Sequence, residues 1–373
     1  MQNNRKTVAV VSNDHAWTYN LRREILQAFL DAGTRVVVIV GYGSRVDDLV
    51  EMGCEFIDVP VDRHGMNPKR ELKLIASYYK VLKELKPDLV LTYTIKPNCY
   101  AGMVCRFLKI PYVANITGLG TAVENGGLMQ KFALMLHRVG LKKAQKVFFQ
   151  NTENRDFMLK KGVISGAYDL LPGSGVNLQR FTPLEYPGEE TTEFIFISRI
   201  MKEKGIDQYL DAAEYITKKY PNTKFHICGF CEAEYEGRLE ECQASGAVIY
   251  HGMVSNVRDY IARTHCTVHP TYYPEGLSNV LLESSACARP IITTDRSGCR
   301  EVIDAGVNGF VVRQKDSEDL IEKIEKFLSL SWEERKAMGL AGRAKVEREF
   351  DRQIVVGKYV AELNACQEKN YEK

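Results

Sequence analysis

Two carboxylates stand at a spacing that could serve a sugar-nucleotide site. Glu275 and Glu283 lie eight residues apart in the stretch 269–283, which reads HPTYYPEGLSNVLLE. Its proline and glycine indicate a loop, and Ser278 or Asn279 could cap the helix that the following apolar residues predict. Such a helix would direct its first N–H groups and the positive end of its dipole into the loop, which favours a phosphate. Carboxylates accept hydrogen bonds from hydroxyl groups, so a phosphate site between two of them suits a sugar nucleotide.

A second candidate group is basic and follows a predicted strand. Arg199 and Lys204 lie in the stretch 198–205, SRIMKEKG, directly after the predicted strand Phe194–Ile197. Arginine presents a planar fork to phosphate oxygens, and lysine presents a point charge. Lys202 lies between them and is predicted to face solvent. Taken alone, the stretch would be interpreted as an ordinary solvated basic loop.

The elements that must position these residues follow an alternating pattern. Short apolar runs predict strands at 8–11, 36–40, 55–59, 89–92, 112–116 and 147–149, and again at 194–197, 224–228, 248–250, 267–269, 291–294 and 309–312. Helical patterns lie between most of them, as at 21–32, 69–86 and 206–219. This alternation predicts parallel sheets with right-handed crossovers. We therefore expect an α/β protein of two doubly wound, Rossmann-like domains facing a cleft, with ligands beyond the carboxyl ends of the strands.

The break between the two series lies in a stretch rich in proline and acidic residues. We predict an N-terminal domain at 1–182, a linker at 183–192 and a C-terminal domain at 193–350. Residues 351–373 form a C-terminal helical segment that could pack back on the N-terminal domain. A length of 373 residues agrees with two domains rather than one core.

Composition excludes several classes of function. The formal net charge of +2 provides no general attraction for nucleic acid, so no nucleic-acid partner is expected. No run of about eighteen apolar residues occurs, so no transmembrane helix is expected. Ten cysteines without a disulfide framework indicate a reducing, cytosolic setting. The pair Cys228 and Cys231 has the spacing of a redox motif, but it follows a predicted strand, and a tight turn is the preferred interpretation.

The stretch 270–283, with its proline–glutamate–glycine and Glu-x7-Glu pattern, resembles the signature of retaining glycosyltransferases of family 4, which have the GT-B fold. Three further segments resemble landmarks of that family in the same order: 173–181, 298–301 and 308–309. The basic stretch after the first strand of the second series resembles the family's diphosphate clamp. The resemblance extends over nearly the whole chain, and its specific motifs are concentrated between residues 194 and 310.

The resemblance implies that the domain at 1–182 binds the acceptor and that the domain at 193–350 binds the nucleotide sugar. It also implies roles for individual residues. Arg199 and Lys204 would contact the donor diphosphate, and Glu275 would bind the donor sugar; these three are the expected catalytic residues. Glu283 would bind the ribose hydroxyls. The remaining donor-binding residues are Gly276, Leu277, Ser278 and Asn279, of which the last three would cradle the diphosphate with their amides. No Asp-x-Asp occurs in the chain, so we expect no metal and no cofactor, with the positive groups replacing the usual metal clamp.

The N-terminal half matches the family less closely. A glycine-rich first loop, frequent in the family, is replaced by residues 12–20, SNDHAWTYN, in which His15 could face the cleft. Thr117 stands near the position where many members have a histidine, so no catalytic histidine is carried over. Lys96 and Asn98 follow the predicted strand at 89–92 and are further acceptor-site candidates. The segments 94–98 and 116–120 resemble a subgroup that builds capsule, O-antigen and glycan repeat units, whose members commonly use polyprenyl-diphosphate-linked acceptors.

Residues 128–146 form a basic amphipathic stretch without an acidic residue. Such helices can lie on anionic membranes, although an ordinary surface helix is the alternative. We therefore expect a cytoplasmic protein that is peripheral on the inner face of the plasma membrane.

These features together predict a metal-independent retaining hexosyltransferase. It would move a hexose or N-acetylhexosamine from a nucleotide donor, with uridine diphosphate (UDP) the expected nucleotide, to a polyprenyl-diphosphate-linked or other glycan acceptor. The alternatives are a nucleotide-sugar-binding module without activity, a GT-B sugar-nucleotide epimerase and an inverting transferase. A dinucleotide oxidoreductase is disfavoured because Gly41 and Gly43 lack the third glycine and the helix start of that fingerprint.

Overall fold

The chain divides into two compact units. The computed structural model describes residues 5–62, 67–120, 123 and 126–371. The first unit holds the chain as far as Ser174 and again from Arg352, and the second holds Gly175–Asp351. The chain therefore leaves the first unit once and returns to it at its C-terminal end.

The first unit is built on a parallel sheet. Its strands are β1 (Thr7–Val11), β2 (Arg35–Val40), β3 (Glu55–Asp58), β4 (Leu89–Tyr93), β5 (Tyr112–Ile116), β6 (Lys146–Phe149) and β7 (Tyr168–Leu170), in the spatial order β3-β2-β1-β4-β5-β6-β7. Its helices are α1 (His15–Asp31), α2 (Val46–Glu51), α3 (Pro68–Leu85), α4 (Gly102–Leu108), α5 (Gly127–Leu141) and α6 (Thr152–Lys160). A π-helical turn, Pro97–Ala101, runs into α4. The central strands β1 and β4 are fully buried, which explains why they are continuous apolar runs rather than alternating ones.

The second unit repeats this design. Its strands are β8 (Thr192–Ile197), β9 (Thr223–Cys228), β10 (Ile249–Tyr250), β11 (Cys266–His269), β12 (Ile291–Thr294) and β13 (Gly309–Val312), all parallel, in the order β10-β9-β8-β11-β12-β13. Its helices are α7 (Ile206–Lys219), α8 (Glu236–Ala244), α9 (Val257–Arg263), α10 (Asn279–Ala286), α11 (Ser317–Leu328) and α12 (Trp332–Glu349). In each unit the strand order reverses beside the first strand, between β1 and β4 and between β8 and β11. Ligands of such sheets bind beyond the carboxyl ends of the strands at that reversal.

The second unit begins earlier than the linker expected at 183–192. Phe181 lies in the same hydrophobic cluster as Leu281 and Leu282, and Leu184 packs against that cluster. The hydroxyl of Tyr186 donates to the carbonyl of His265 at 3.1 Å. These contacts fasten the proline-rich stretch to the second unit, so it is not a free connection.

The C-terminal helix α13 (Arg352–Tyr371) packs on the first unit. Its Tyr359 is buried against Phe148 of β6, with ring centroids 5.3 Å apart, and Arg352 donates to Glu24 of α1 at 2.8 Å. Residues 372 and 373 of the expected C-terminal segment lie outside the described residues.

Two local differences from the expected elements have plain causes. Helix α1 begins at His15, six residues before the apolar pattern starts, because the Asp14 carboxylate accepts the N–H of Trp17 and caps the helix. Strand β7 was not anticipated, since a three-residue polar strand at a sheet edge leaves little apolar pattern. Within the part of the chain that the structure describes, no helix has both the length and the hydropathy needed to cross a membrane.

Candidate functional site

Two loops meet at the strand-order reversal of the second unit. Strand β8 leads into the loop 198–205, and its neighbour β11 leads into the loop 270–278. Strands β8 and β11 pair directly, with Ile195 opposite Thr267. The two stretches that the sequence singled out separately are therefore brought to one edge of one sheet.

The loops touch through their backbones. Gly205 has a φ of +78°, and a Cβ atom there would lie 2.2 Å from the carbonyl oxygen of Pro270. Only glycine permits both this conformation and this approach. The carbonyl of Glu203 accepts the N–H of Tyr272 at 2.9 Å and the hydroxyl of Thr271 at 3.3 Å. These bonds fix the basic turn against the loop that carries Glu275.

Lys204 and Glu275 form an ion pair between the two loops. Lys204 is only 9% exposed, whereas Lys202, two residues earlier, is exposed as the sequence suggested. A buried ammonium requires a partner, because an isolated charge removed from water is strongly destabilised. Glu275 supplies that partner in this structure.

Arg199 lies at the open side of the same site. Its guanidinium is half exposed and approaches the Glu232 carboxylate at 3.7 Å. A solvent-exposed pair at this distance contributes little to stability. Arg199 is therefore held only weakly and can turn towards an anion.

Tyr273 is a member of the site that the sequence argument did not identify. Its ring centroid lies 4.7 Å from Lys204 Nζ and 5.9 Å from the guanidinium carbon of Arg199. Both distances allow an attraction between a cation and the face of an aromatic ring. The sequence signal was a tyrosine in the loop that carries Glu275, but nothing in the chain indicated which cations it would face.

Gly298 supports Glu275 from the loop after β12. It has a φ of +91°, and a Cβ atom there would lie 2.7 Å from the Cβ of Glu275. Its carbonyl accepts the N–H of Ser278 at 2.8 Å, and its own N–H donates to Glu301 at 2.7 Å. The segment 298–301 is therefore part of the wall against which Glu275 rests.

Helix α10 begins at the site, as expected. Ser278 is its N-cap residue, but its side chain makes no hydrogen bond to the first turn. The first N–H groups of a helix have no acceptor within the helix, so those of Asn279 and Val280 suit an anion. The N–H of Ser278 was expected to contact the diphosphate, but in the structure it donates to the carbonyl of Gly298. Leu277 is buried in the hydrophobic core of the unit.

Glu283 lies one turn inside α10 and is half buried. The turn at Asn308, which follows Glu283 later in the chain, is stabilised by two hydrogen bonds of the Asn308 side chain. The Asn308 amide donates to the carbonyl of Val302 at 2.9 Å and accepts the N–H of Asp304 at 2.7 Å. Asn308 thus stabilises the backbone of its own turn. The Glu283 side chain, by contrast, remains partly accessible to solvent.

His269 is a second residue near the site to which the sequence assigned no role. It ends β11, and both of its ring nitrogens are buried without a hydrogen-bond partner among the described residues. Burial, together with the charge of Lys204, holds the pKa of His269 well below the usual histidine value. The ring is therefore neutral beside the cationic site.

Three of the four acceptor-site candidates in the first unit lie at the carboxyl edge of its sheet. His15 opens α1, where its Nδ1 accepts the N–H of Arg45 at 3.4 Å, so it lies on a helix and not in a loop. Lys96 forms an ion pair with Glu71 of α3 at 2.6 Å. Thr117 follows β5 directly and is half buried.

Asn98, the fourth candidate, is buried. It is 1% exposed, accepts the Thr92 hydroxyl at 2.7 Å and donates to the carbonyl of Asn115 at 2.7 Å. Its amide thus ties β4 to β5, because a buried amide must satisfy both of its polar atoms. Both polar atoms of the Asn98 side chain thus have partners within the fold.

The basic stretch 128–146 is not one helix. Helix α5 ends at Leu141, and Lys146 lies in β6, where it pairs with Glu362 at 2.5 Å. Several exposed apolar residues of α5 form a stripe. Leu128, Phe132, Met135 and Val139 are all exposed and recur at the four- and three-residue intervals of one helix face. Lys131, Lys142 and Lys143 are exposed at or beyond its borders.

A thiol-based redox function finds little support at Cys228 and Cys231. Burial raises the pKa of the Cys228 thiol to about 12 and also raises the pKa of Cys231, so neither is poised as a thiolate. Among the described residues, no group of three or more histidine, cysteine or acidic side chains could hold a metal ion.

The fold and this site define a class of enzyme. Each half of the chain matches a protein-family model: "Glycosyl transferase 4-like" at residues 8–151 and "Glycosyl transferases group 1" at residues 185–345. The chain belongs to the glycosyltransferases, and its two parallel-sheet units are those of the GT-B fold.

Individual relatives are similar along almost the whole chain. A Campylobacter jejuni protein, N,N'-diacetylbacillosaminyl-diphospho-undecaprenol alpha-1,3-N-acetylgalactosaminyltransferase, is 27% identical over 371 residues, covering 95% of this chain and 97% of its own. A glycosyltransferase structure from Rickettsia africae superimposes with a TM-score of 0.81 at 17% identity, covering 98% and 99% of the two chains. Anabaena Alr3699/HepE, solved in complex with UDP, has a TM-score of 0.78 at 14% identity, covering 96% and 99%.

Proposed function

We propose that this glycosyltransferase is retaining and metal-independent. It transfers a hexose or N-acetylhexosamine from a UDP-sugar to a polyprenyl-diphosphate-linked glycan during the assembly of a surface polysaccharide or glycan. The observation that carries the proposal is the cluster of Lys204, Glu275, Tyr273 and Arg199 in front of the uncapped start of α10. That cluster combines cations and helix N–H groups for a diphosphate with a carboxylate for a sugar.

The cations account for the rate of the proposed reaction. As the glycosidic bond breaks, negative charge grows on the β-phosphate of the donor. Preorganised donors directed at developing charge are generally the largest catalytic contribution. Lys204 is already held in place by backbone contacts between two loops and by Glu275, so it need not be ordered during the reaction.

Glu275 positions the sugar instead of attacking it. A carboxylate that is paired with a buried ammonium is a poor nucleophile, because its negative charge is already compensated. Retention then follows from attack on the same face that the diphosphate leaves. The acceptor oxygen bonds to the anomeric carbon, the bond to the phosphate oxygen breaks, and that phosphate oxygen takes the acceptor proton.

The donor's nucleotide and the lipid-linked acceptor are inferred from relatives. Anabaena Alr3699/HepE is described in complex with UDP, and the name of the C. jejuni relative specifies a diphospho-undecaprenol substrate. No Asp-x-Asp occurs in this chain, and the positions for phosphate are served by Arg199, Lys204 and α10. These features support a metal-independent UDP-sugar site.

The α5 stripe supports a peripheral site on the inner face of the plasma membrane. Its exposed apolar residues suit the acyl-chain region of an anionic bilayer, and the lysines around them suit the acidic headgroups. A polyprenyl-linked acceptor is confined to such a surface, so binding there would raise its local concentration.

One experiment tests the proposed reaction. UDP release is measured with a panel of UDP-hexoses and UDP-N-acetylhexosamines, with polyprenyl-diphosphate monosaccharides as acceptors, in excess EDTA and in Mg²⁺. We expect one donor to give acceptor-dependent UDP release in EDTA and a product that keeps the donor's anomeric configuration. Donor binding without turnover would instead indicate a binding module, and an inverted product would refute the retaining mechanism.

A further inference from the structure

The first unit has a strained residue at its own strand-order reversal. Thr94 follows β4 directly and has a φ of +71°. A β-branched residue in this left-handed region is an outlier, because its Cβ substituents crowd the backbone. The carbonyl of Thr94 accepts the N–H of Asn98 at 3.0 Å, so the residue joins the strand to the helical turn that follows. Any residue could form that backbone bond, and glycine could do so without strain.

The Thr94 side chain is also unusual. Its hydroxyl oxygen is buried without a hydrogen-bond partner among the described residues, and so is the amide oxygen of Asn13. Neither atom gains stability from the fold, since a buried polar atom without a partner is unfavourable. Strain and orphaned polar atoms that persist at one place are typical of a ligand site.

The topology brings these two residues to one edge. Strands β1 and β4 pair in parallel, and their register ends with Val11 opposite Thr92. Asn13 and Thr94 each follow by two residues, so both lie at the carboxyl edge of the central strand pair. That is the reversal at which a doubly wound sheet binds its ligand.

We propose that Asn13 and Thr94 bind the terminal sugar of the acceptor. An amide oxygen only accepts hydrogen bonds, so it requires a donor such as a sugar hydroxyl or an acetamido N–H and disfavours a phosphate oxygen. The threonine hydroxyl can accept from or donate to the same sugar. The inference rests on the proposed transfer to a lipid-linked sugar and specifies which side chains select that sugar.

Four variants test the proposal: Thr94→Gly, Thr94→Ser, Asn13→Ala and, as a control, Lys109→Gly. Lys109 also has a positive φ, of +58°, but it ends α4 and is exposed. Each variant is assayed with the best acceptor from a panel of polyprenyl-diphosphate monosaccharides, and bare polyprenyl diphosphate is tested as a competitor. Melting temperature and acceptor-independent UDP release are measured in parallel.

We expect Thr94→Gly to melt no lower than the parent while its acceptor KM rises about tenfold or more. Asn13→Ala should raise KM similarly, Thr94→Ser should preserve it, and Lys109→Gly should leave it unchanged. Inhibition by bare polyprenyl diphosphate should be the same in all variants. Unchanged acceptor KM in Thr94→Gly and Asn13→Ala would overturn the subsite, and an equal loss of competitor binding would reassign it to the diphosphate. If the parent uses no acceptor at all, the proposed function fails instead.

Discussion

Lys204 and Glu275 form a partly buried ion pair although they are separated by 71 residues and lie in different loops. The pair couples a group proposed for the diphosphate to a group proposed for the sugar. Removing Glu275 takes this carboxylate away from the buried ammonium of Lys204, and the loss of a partner from a buried charge is destabilising. Single substitutions at this pair must therefore be read together with a measurement of folding.

The two phosphate-binding cations should be essential for turnover. Lys204→Ala and Arg199→Ala are each expected to lower kcat by about a hundredfold or more, because both cations would stabilise charge on the departing diphosphate. Lys202→Ala is the matched control, since Lys202 lies in the same turn but is exposed. Steady-state kinetics with the preferred UDP-sugar checks this. Comparable losses in all three variants would indicate only a general basic surface.

The aromatic ring of Tyr273 should contribute more to kcat/KM for the donor than its hydroxyl group does. Tyr273→Leu removes the aromatic face near both cations and is expected to lower kcat/KM for the donor, by about tenfold if each contact contributes ~0.5–1 kcal/mol. Tyr273→Phe should retain most activity. Tyr272→Leu is the control, because the neighbouring Tyr272 ring faces Lys315 instead. An equal effect of the Leu and Phe variants would argue against the cation contacts.

Glu283 and Glu275 should contribute to the binding of different parts of the donor, the nucleotide and the sugar. Glu283→Ala is expected to weaken the binding of free UDP and of the full donor alike, since both contain the ribose. Glu275→Gln should spare UDP binding and lower turnover of the sugar donor. The buried position of Lys204 makes Gln preferable to Ala here, because it preserves shape and a hydrogen-bond acceptor. Titration calorimetry with UDP and UDP-sugar distinguishes the roles, and the opposite pattern would exchange them.

Gly298 should be required for turnover because it lies against Glu275. Gly298→Ala would place a Cβ atom 2.7 Å from the Cβ of Glu275, in a backbone conformation that alanine rarely adopts. We expect turnover to fall about tenfold or more while UDP still binds. Gly306→Ala is the control, since Gly306 has a similar φ of +80° but no atom within 4 Å of the added carbon. Equal losses of activity in both variants would assign the effect to backbone strain alone.

The apolar stripe of α5 should hold the protein on membranes. Replacing Leu128, Phe132 and Met135 by Ser is expected to release it from anionic vesicles, because the substitution removes the exposed apolar area. Replacing Lys131, Lys142 and Lys143 by Gln should weaken vesicle binding mainly at low salt.

Vesicle co-sedimentation measures both effects. Phe107→Ser is the control, since Phe107 is an exposed aromatic residue on α4, outside the stripe. Acceptor-independent UDP release should be unchanged in every variant, because the donor residues belong to the second unit. Undiminished sedimentation of the Ser variant would show that the stripe is an ordinary surface.

The sequence by itself determined the fold and the chemical types of the donor site. Buried parallel strands favour continuous apolar runs, such as Val8–Val11 and Val36–Val40, and these are readable without a structure. Arg199, Lys204, Glu275 and Glu283 stood out as charged residues after a strand or at a loop-to-helix junction, and their roles were predicted from the resemblance to the family. Strand β7 was not predicted because three residues are too few to show a periodic pattern of apolar side chains.

Only the tertiary structure decided which of these groups meet. The pairing of β8 with β11 brings Lys204 to Glu275 and Tyr273, and no spacing in the chain specifies that pairing. The same applies to the partners of Asn98 and Lys146. Both are satisfied by groups distant in sequence, the carbonyl of Asn115 and the carboxylate of Glu362. Local sequence specifies backbone preference and burial, whereas hydrogen-bond and charge partners depend on which strands become neighbours.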